Sequence, residues 1–259
     1  MGEAIVSALL KKRICRPADI SVSDIIKPRR DYLKEKYGVV VTSKSRDAVN
    51  GREVVVLAVK PQNIREVLVD LESILKPGQL ILSIAAGVKI DSIRKGTGHR
   101  NIVRAMPNTP AQIGLGISGW TATKEVSGEQ KSLAKTILGA MGKEIYFDKE
   151  DAIDMVTAVS GSGPAYLYLF AEALVDAASE LGLKRNDAEK LILQTMLGAA
   201  QLMDKSGKAP AELRRDVTSK GGTTERAIEV FEKSDLAGTI SKAVKAAYQR
   251  AKELGEAES

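Results

Sequence analysis

The sequence holds one cysteine, Cys15, and one histidine, His99, among 259 residues. A single thiol forms no internal disulfide and no cysteine-based metal cluster, and it fits a reducing compartment, so the expected location is cytoplasmic. With no base near it in sequence, Cys15 reads as a packing residue. A lone histidine excludes catalysis by a histidine pair and leaves a histidine-based metal site short of ligands, so no metal is expected. His99 falls in the polar stretch GTGHRN and reads as a surface residue. Aromatic residues make up only 4% of the chain, too few for the stacking platforms of a nucleic-acid groove, despite a net charge of +6. The densest basic spots, KKR at 11–13 and PRR at 28–30, read as solvated faces. No apolar run approaches the ~18 residues of a membrane span, and no secretory leader is expected.

What is present is ordinary for a folded chain: 44% hydrophobic and 28% charged residues, enough for one large or two modest domains. The first 150 residues alternate short β-rich runs with helical stretches. Runs at 19–24, 39–42, 54–59, 80–87 and 101–106 are apolar with little alternation, as strands covered on both faces require. Ile64, Val67, Leu68 and Leu71 form one helical stripe between two of them, and Ser127 with Gln130 has capping-box spacing before a helix over 128–141. A last strand is expected at 143–148. Strand, helix and strand in repetition predict an open parallel sheet, with ligands beyond the carboxyl ends of its strands. Beyond about residue 155 every long segment has helical period. The predicted fold class is therefore an α/β Rossmann-type dinucleotide-binding domain over 1–150 followed by an all-helical domain over 151–259.

From Ala165 to Leu174 only Glu172 is charged, so that helix is apolar around nearly its whole circumference. Some hundred residues of helix cover it only in part, and a second copy of the chain is the expected cover.

Several loops carry chemistry. AVKPQ (58–62) turns sharply at the ligand-facing edge, and SIAAG (83–87) ends its strand in small residues that let a planar ligand approach the backbone. RAMPNTPA (104–111) sets Asn108 and Thr109 between two prolines. SGSGPAY (160–166) reads as a loop delivering N–H groups at a helix start marked by Pro164. In VTSKGGTTERA (217–227), Gly221 and Gly222 permit unusual backbone angles, and Thr223 or Thr224 is placed to cap the helix beginning ERAI. Hydroxyls and N–H donors around a helix start suit a carboxylate.

These motifs, in this order and spacing, together with P-x2-L-x3-VTS-x-GGTT-x2-AI-x2-FE from Pro210 to Glu232, resemble the pyrroline-5-carboxylate reductase family over essentially the whole chain. The resemblance implies reduction of 1-pyrroline-5-carboxylate to L-proline, the last step of proline synthesis, by hydride transfer from NADPH or NADH. It also implies a helical dimerisation domain and a homodimer or higher oligomer. By the same resemblance Val217, Ser219, Gly221, Gly222, Thr223 and Thr224 surround the substrate, with Thr224 and Ser219 the catalytic candidates. Gly2, Asp24, Ala58, Val59, Lys60, Pro61, Ala85, Ala86, Asn108 and Thr109 line the cofactor. Lys220 departs from the family, where many relatives carry proline.

A second departure concerns the family's Gly-x-Gly-x-Met-Gly loop, of which only Met1 and Gly2 are present; the preceding strand and two glycines are not. A start assigned too late is the expected explanation, with dinucleotide binding weaker than in a chain extended upstream. Cofactor choice leans slightly to NADH. Asp24 stands 22 residues after Gly2, where an acidic side chain meets the ribose 2′-hydroxyl, whereas Lys27, Arg29 and Arg30 lie where a 2′-phosphate would reach. Two alternatives remain open: another β-hydroxyacid-type dehydrogenase, and a non-catalytic dinucleotide-binding protein on the same fold.

Overall fold

The computed structural model describes residues 1–257. The chain divides into two compact units, Met1–Pro164 joined by the chain from Ala246, and Ala165–Lys245.

In the first unit, α1 (Gly2–Lys11) leads to β1 (Ser21–Ser23), α2 (Lys27–Tyr37), β2 (Val40–Thr42) and α3 (Ser45–Val49). Then come β3 (Val54–Leu57), α4 (Ile64–Leu71), β4 (Leu80–Ser83), α5 (Ile90–Thr97) and β5 (Ile102–Met106). β6 (Gly116–Ala122), α6 (Gly128–Ala140), β7 (Gly142–Tyr146) and α7 (Asp151–Val156) follow. β3 to β7 form one sheet in chain order; β1 and β2 form a separate parallel pair. α1 links the two: Ile5 and Ala8 pack on the larger sheet, and Val6 packs with Leu33 and Val39 beside the smaller.

β4 shows why its sequence carries no alternation. Leu80 and Leu82 face a core closed by Ile5, Leu138 and Met141, while Ile81 faces the opposite core with Ile64, Leu68 and Ile93. Both faces are dry, and each such side chain contributes about 1.5–3 kcal/mol on burial. Ser127 and Gln130 form the expected capping box: Gln130 N donates to Ser127 Oγ at 3.2 Å, and Ser127 N to Gln130 Oε1 at 3.1 Å.

Four sequence expectations need correction. The sheet is mixed, because β6 runs antiparallel to β5. β6 escapes a periodicity reading because GISGWTA buries Ser118 and Thr121 and has glycine at Gly119, where α7 comes so close that a Cβ would lie 2.6 Å from Val156 Cγ2. His99 is 7% exposed, not a surface residue. Its Nε2 bonds the Gln79 carbonyl at 2.6 Å, and Gln79 Nε2 in turn donates to the carbonyls of Val49 and Arg52. SGSGPAY is no loop: α7 runs into a π-helical turn over Thr157–Gly161, and α8 (Gly163–Glu180) follows at once. The predicted strands 54–59 and 80–87 also leave the ladder early, at Leu57 and Ser83, and their last residues form loops.

The second unit contains most of α8, then α9 (Arg185–Ser206), α10 (Pro210–Asp216), α11 (Thr223–Lys233) and the first part of α12 (Leu236–Ala257). On α8 the apolar side chains of Leu167 and Leu169, which point to nearly opposite sides of the helix, are 58% and 67% exposed, so this chain leaves both sides partly uncovered. No helix among the described residues is long and apolar enough to cross a membrane.

Candidate active site

β3, β4 and β5 run parallel and end side by side at Leu57, Ser83 and Met106. After Leu57 the chain passes Ala58, Val59 and Lys60 and enters a 3-10 turn at Pro61. After Ser83 it makes a short loop in which Ala85 is buried and Ala86 half-buried. After Met106, Asn108 precedes a 3-10 turn that begins at Thr109. Gly2, the first residue of α1, lies against the first of these loops; a Cβ built on it would stand 3.3 Å from Ala58 Cβ. The N-terminus of α1, with its unpaired N–H groups and positive dipole end, is therefore beside the carboxyl end of β3. A helix N-terminus beside the carboxyl end of a parallel strand has the polarity to take an anion, and the side chains at Gly2, Ala58, Ala85 and Ala86 around it are small.

Asn108 uses its side chain to brace its own loop. Its Oδ1 accepts from Ile117 N at 2.9 Å, and its Nδ2 donates to Ser160 Oγ on the π-helical turn at 3.3 Å. The rigid turn expected from the flanking prolines is thus held by two further elements.

Asp24 directly follows β1 and its Oδ1 accepts from Ile26 N at 2.8 Å. The three cations near it have partners: Lys27 meets Asp31 at 2.7 Å, Arg29 meets Glu3 at 2.5 Å, and Arg30 Nη1 donates to the Asp24 carbonyl at 2.7 Å. Glu3, in the first turn of α1, also accepts from Tyr32, Lys36 and Tyr37. Burial pushes its carboxyl up, but the hydrogen bonds from Arg29, Tyr37, Lys36 and Tyr32 outweigh that and bring it from 4.5 down to about 2. Cys15 is half-buried beside Leu10, Ile14 and Pro17, and burial together with Asp19 raises its thiol.

Sequence reasoning missed one feature of this edge. Arg104, in the middle of β5, is 2% exposed, and its Nη2 and Nη1 meet Asp154 Oδ1 at 2.6 Å and Glu150 Oε1 at 3.0 Å. A charged residue inside an apolar strand run was the available signal, since a buried guanidinium requires a carboxylate partner.

In the second unit, Val217 ends α10 and Thr218 Oγ1 donates back to the Arg214 carbonyl at 2.6 Å. Ser219 O accepts from Gly222 N at 3.0 Å, closing a turn in which Gly221 has φ +74°. Gly222 packs so tightly there that a Cβ would lie 2.6 Å from Ser219 Oγ. The expected threonine cap is corrected: Gly222 is the N-cap, and Thr223 and Thr224 are the first two residues of α11. No side chain caps α11; Glu225 instead reaches back across its first turn, its Oε2 accepting from Gly221 N at 2.7 Å just before the N-cap. Val217, Ser219, Gly221, Gly222, Thr223 and Thr224 thus share one turn at a helix start, with two threonine hydroxyls in the first helical turn.

No cluster of three or more histidine, cysteine, aspartate or glutamate side chains able to hold a metal occurs among the described residues.

Comparison with known proteins agrees with this geometry. A family profile described as "Pyrroline-5-carboxylate reductase dimerisation" matches residues 150–254, and one described as "NADP oxidoreductase coenzyme F420-dependent" matches residues 1–87. The chain is 43% identical over 257 residues to a pyrroline-5-carboxylate reductase of Synechocystis, covering 99% of this chain and 95% of that one. It is similar in structure to a pyrroline-5-carboxylate reductase of Coxiella burnetii, with a TM-score of 0.91 and 42% identity over 98% of this chain and 94% of that one. The Plasmodium falciparum pyrroline carboxylate reductase, solved with NADP bound, gives a TM-score of 0.88 at 29% identity over 98% and 94%. A dinucleotide-binding sheet edge, a hydroxyl-rich turn at a helix start and end-to-end similarity to named reductases converge: this chain belongs to the pyrroline-5-carboxylate reductases.

Proposed function

We infer that this chain reduces 1-pyrroline-5-carboxylate to L-proline with a nicotinamide dinucleotide, as a homo-oligomer associating through its helical region. The observation that carries the reading is the convergence of α1's N-terminus and the loops after β3, β4 and β5 on one sheet edge, in a chain similar to these reductases along its whole length. When bound, the nicotinamide supplies the hydride. The protein's part is to fix the two rings face to face and hold the substrate's carboxylate.

For the cofactor, Gly2 and the N–H groups of the first turn of α1 receive the pyrophosphate. Ala58, Val59, Lys60, Pro61, Ala85 and Ala86 flank the dinucleotide, with the Asn108–Thr109 turn toward the nicotinamide end. The division of labour follows the chain, with cofactor residues before about residue 150 and substrate residues after it.

For the substrate, the turn from Val217 to Thr224 offers donors suited to a carboxylate and a ring nitrogen. Open N–H groups at the start of α11 and its positive dipole end attract the anion. Thr224 and Ser219 supply hydroxyls to the ring. An imine nitrogen is basic enough to arrive protonated, which makes its carbon electrophilic without a catalytic histidine, in keeping with the burial of His99 at the opposite strand ends.

We place NADH ahead of NADPH, on Asp24 at the end of β1. The partners already held by Lys27, Arg29 and Arg30 support this order, since a 2′-phosphate would compete with Asp31, Glu3 and the Asp24 carbonyl for them. A cytoplasmic location accords with the single cysteine.

The test is direct. Purified protein incubated with 1-pyrroline-5-carboxylate and each dinucleotide is followed by loss of reduced-nicotinamide absorbance, with proline identified by chromatography. Proline formation with a higher kcat/KM for NADH is the expected result. Absence of proline with either dinucleotide would overturn the reading, and a preference for NADPH would overturn only the role of Asp24.

A further inference from the structure

Glu150 lies immediately before α7, 60 residues from Ile90 and 46 from Arg104, yet its Oε1 meets both: it accepts from Ile90 N at 2.8 Å and from Arg104 Nη1 at 3.0 Å. Ile90 is the first residue of α5, so its N–H has no partner within the helix. The residue at its N-cap is Lys89, which offers no side-chain acceptor and makes no capping bond. The cap comes instead from a distant carboxylate, a charge that also suits the positive end of α5.

The position of that cap matters because of what it terminates. Between the end of β4 at Ser83 and the start of α5 at Ile90 lies the short loop that carries Ala85 and Ala86. Its entry is held by the ladder, with Ile84 N donating to the Leu57 carbonyl at 3.0 Å. Its exit is held by Glu150. Arg104 fixes Glu150 in turn, and the guanidinium is itself fixed by burial in β5 and by Asp154. One carboxylate therefore couples the loop after β4 to β5, whose own end carries Asn108 and Thr109.

We propose that Glu150 is a positioning residue for dinucleotide binding: by holding the Ile90 N–H while paired to Arg104, it keeps the Ala85–Ala86 loop in the form that receives the cofactor. This rests on the reading of that loop as cofactor-facing. In this role Glu150 acts through Ile90 and Arg104 rather than on a ligand, and its side chain is 30% exposed, so its replacement leaves the core filled.

Three variants separate positioning from bulk stability. Glu150→Ala removes the acceptor; Glu150→Gln keeps an amide oxygen for Ile90 and removes the charge. Ile90→Pro deletes the N–H and leaves Glu150 with Arg104. Proline is well accepted at a first helical position, and Lys89 already has the extended conformation a following proline demands, with φ −78° and ψ 154°. Binding of reduced dinucleotide is measured by fluorescence, alongside kcat and the KM of the imine. Glu150→Ala is expected to weaken dinucleotide binding about tenfold while kcat at saturation stays within about twofold, as loss of loop alignment without loss of chemistry predicts. Glu150→Gln returns most of the affinity. Ile90→Pro reproduces the alanine effect, and the two together add nothing further, because they break the same bond. Unchanged affinity in Glu150→Ala, or effects that multiply in the double variant, would overturn the proposal. If Glu150→Ala does not fold, Ile90→Pro decides the matter in the same way. Hydrogen exchange keeps the outcome distinct from a failure of the cofactor reading: should the unaltered chain bind no dinucleotide, unchanged protection of the Ile90 amide in Glu150→Ala still refutes the role of Glu150.

Discussion

Arg104 Nη2 and Asp154 Oδ1 stand 2.6 Å apart with both side chains almost wholly removed from solvent, joining the middle of β5 to α7. Their partnership makes one residue intolerable without the other. Asp154→Ala leaves a buried guanidinium with only Glu150, and the expected loss is about 3–5 kcal/mol in urea unfolding. Arg104→Met paired with Asp154→Leu removes both charges and should recover most of it. A loss below about 1 kcal/mol for Asp154→Ala would show that water reaches the pair.

The Glu3 cluster predicts a pH dependence with a definite sign. Its carboxyl is held at about 2 in the folded chain against an ordinary value of 4.5, because the bonds from Arg29, Tyr37, Lys36 and Tyr32 outweigh the cost of burial. A lowered acid contributes stability above the unfolded value and loses it as pH falls through the folded one. The difference in melting temperature between the native chain and Glu3→Gln should therefore be full above pH 4.5 and shrink toward pH 2. A difference that stays constant across this window would mean that the four donors do not act on the charge.

These two clusters mark where the sequence was readable and where it was not. β4 and α6 were legible because their signals are local: an unbroken apolar run for a strand with two dry faces, and Ser127 with Gln130 three residues on. The hydroxyl-rich turn before α11 was equally local, and only its cap was misassigned, since Gly222 rather than a threonine holds the N-cap position. β6 was hidden because Gly116, Ser118 and Gly119 replace the apolar residues that periodicity counts. His99 sits in a polar stretch and is buried only because the fold brings the Gln79 carbonyl to it. Arg104, Glu150 and Asp154 were invisible as a set, since 46 and 50 residues separate the partners. Pairings across such distances follow from topology, which local patterns do not encode.

Gly87 tests the packing of the loop after β4, which the proposed function gives to the dinucleotide. It has φ +75°, and a Cβ there would lie 2.8 Å from Leu254 Cβ at the end of α12. Gly87→Ala meets two penalties at once, about 1–2 kcal/mol for the left-handed backbone and a further loss for displacing α12. Thermal unfolding should show the destabilisation. Weaker dinucleotide binding should accompany it, because Ala85 and Ala86 lie in the same short loop. A variant as stable as the native chain would mean that this backbone relaxes without cost.

Thr224 carries the most specific expectation about chemistry. It is the second residue of α11, half-buried, in the turn where Gly221 and Gly222 let the chain fold tightly over Ser219. If its hydroxyl bonds the protonated ring or the carboxylate, its removal deletes a hydrogen bond to a charged group, worth about 1.5–3 kcal/mol. That corresponds to a fall in kcat/KM for the imine of roughly 10- to 150-fold for Thr224→Ala. Thr224→Ser keeps the hydroxyl and should retain most of the activity, and dinucleotide affinity should be unchanged in both. The split between the two ligands is decisive: a helix-start defect alone would lower stability and leave kcat/KM intact, whereas a substrate contact lowers kcat/KM at constant stability. Steady-state kinetics with each ligand varied in turn, beside unfolding curves for the same variants, separate these outcomes, and an alanine variant with native kinetics would remove Thr224 from the reaction.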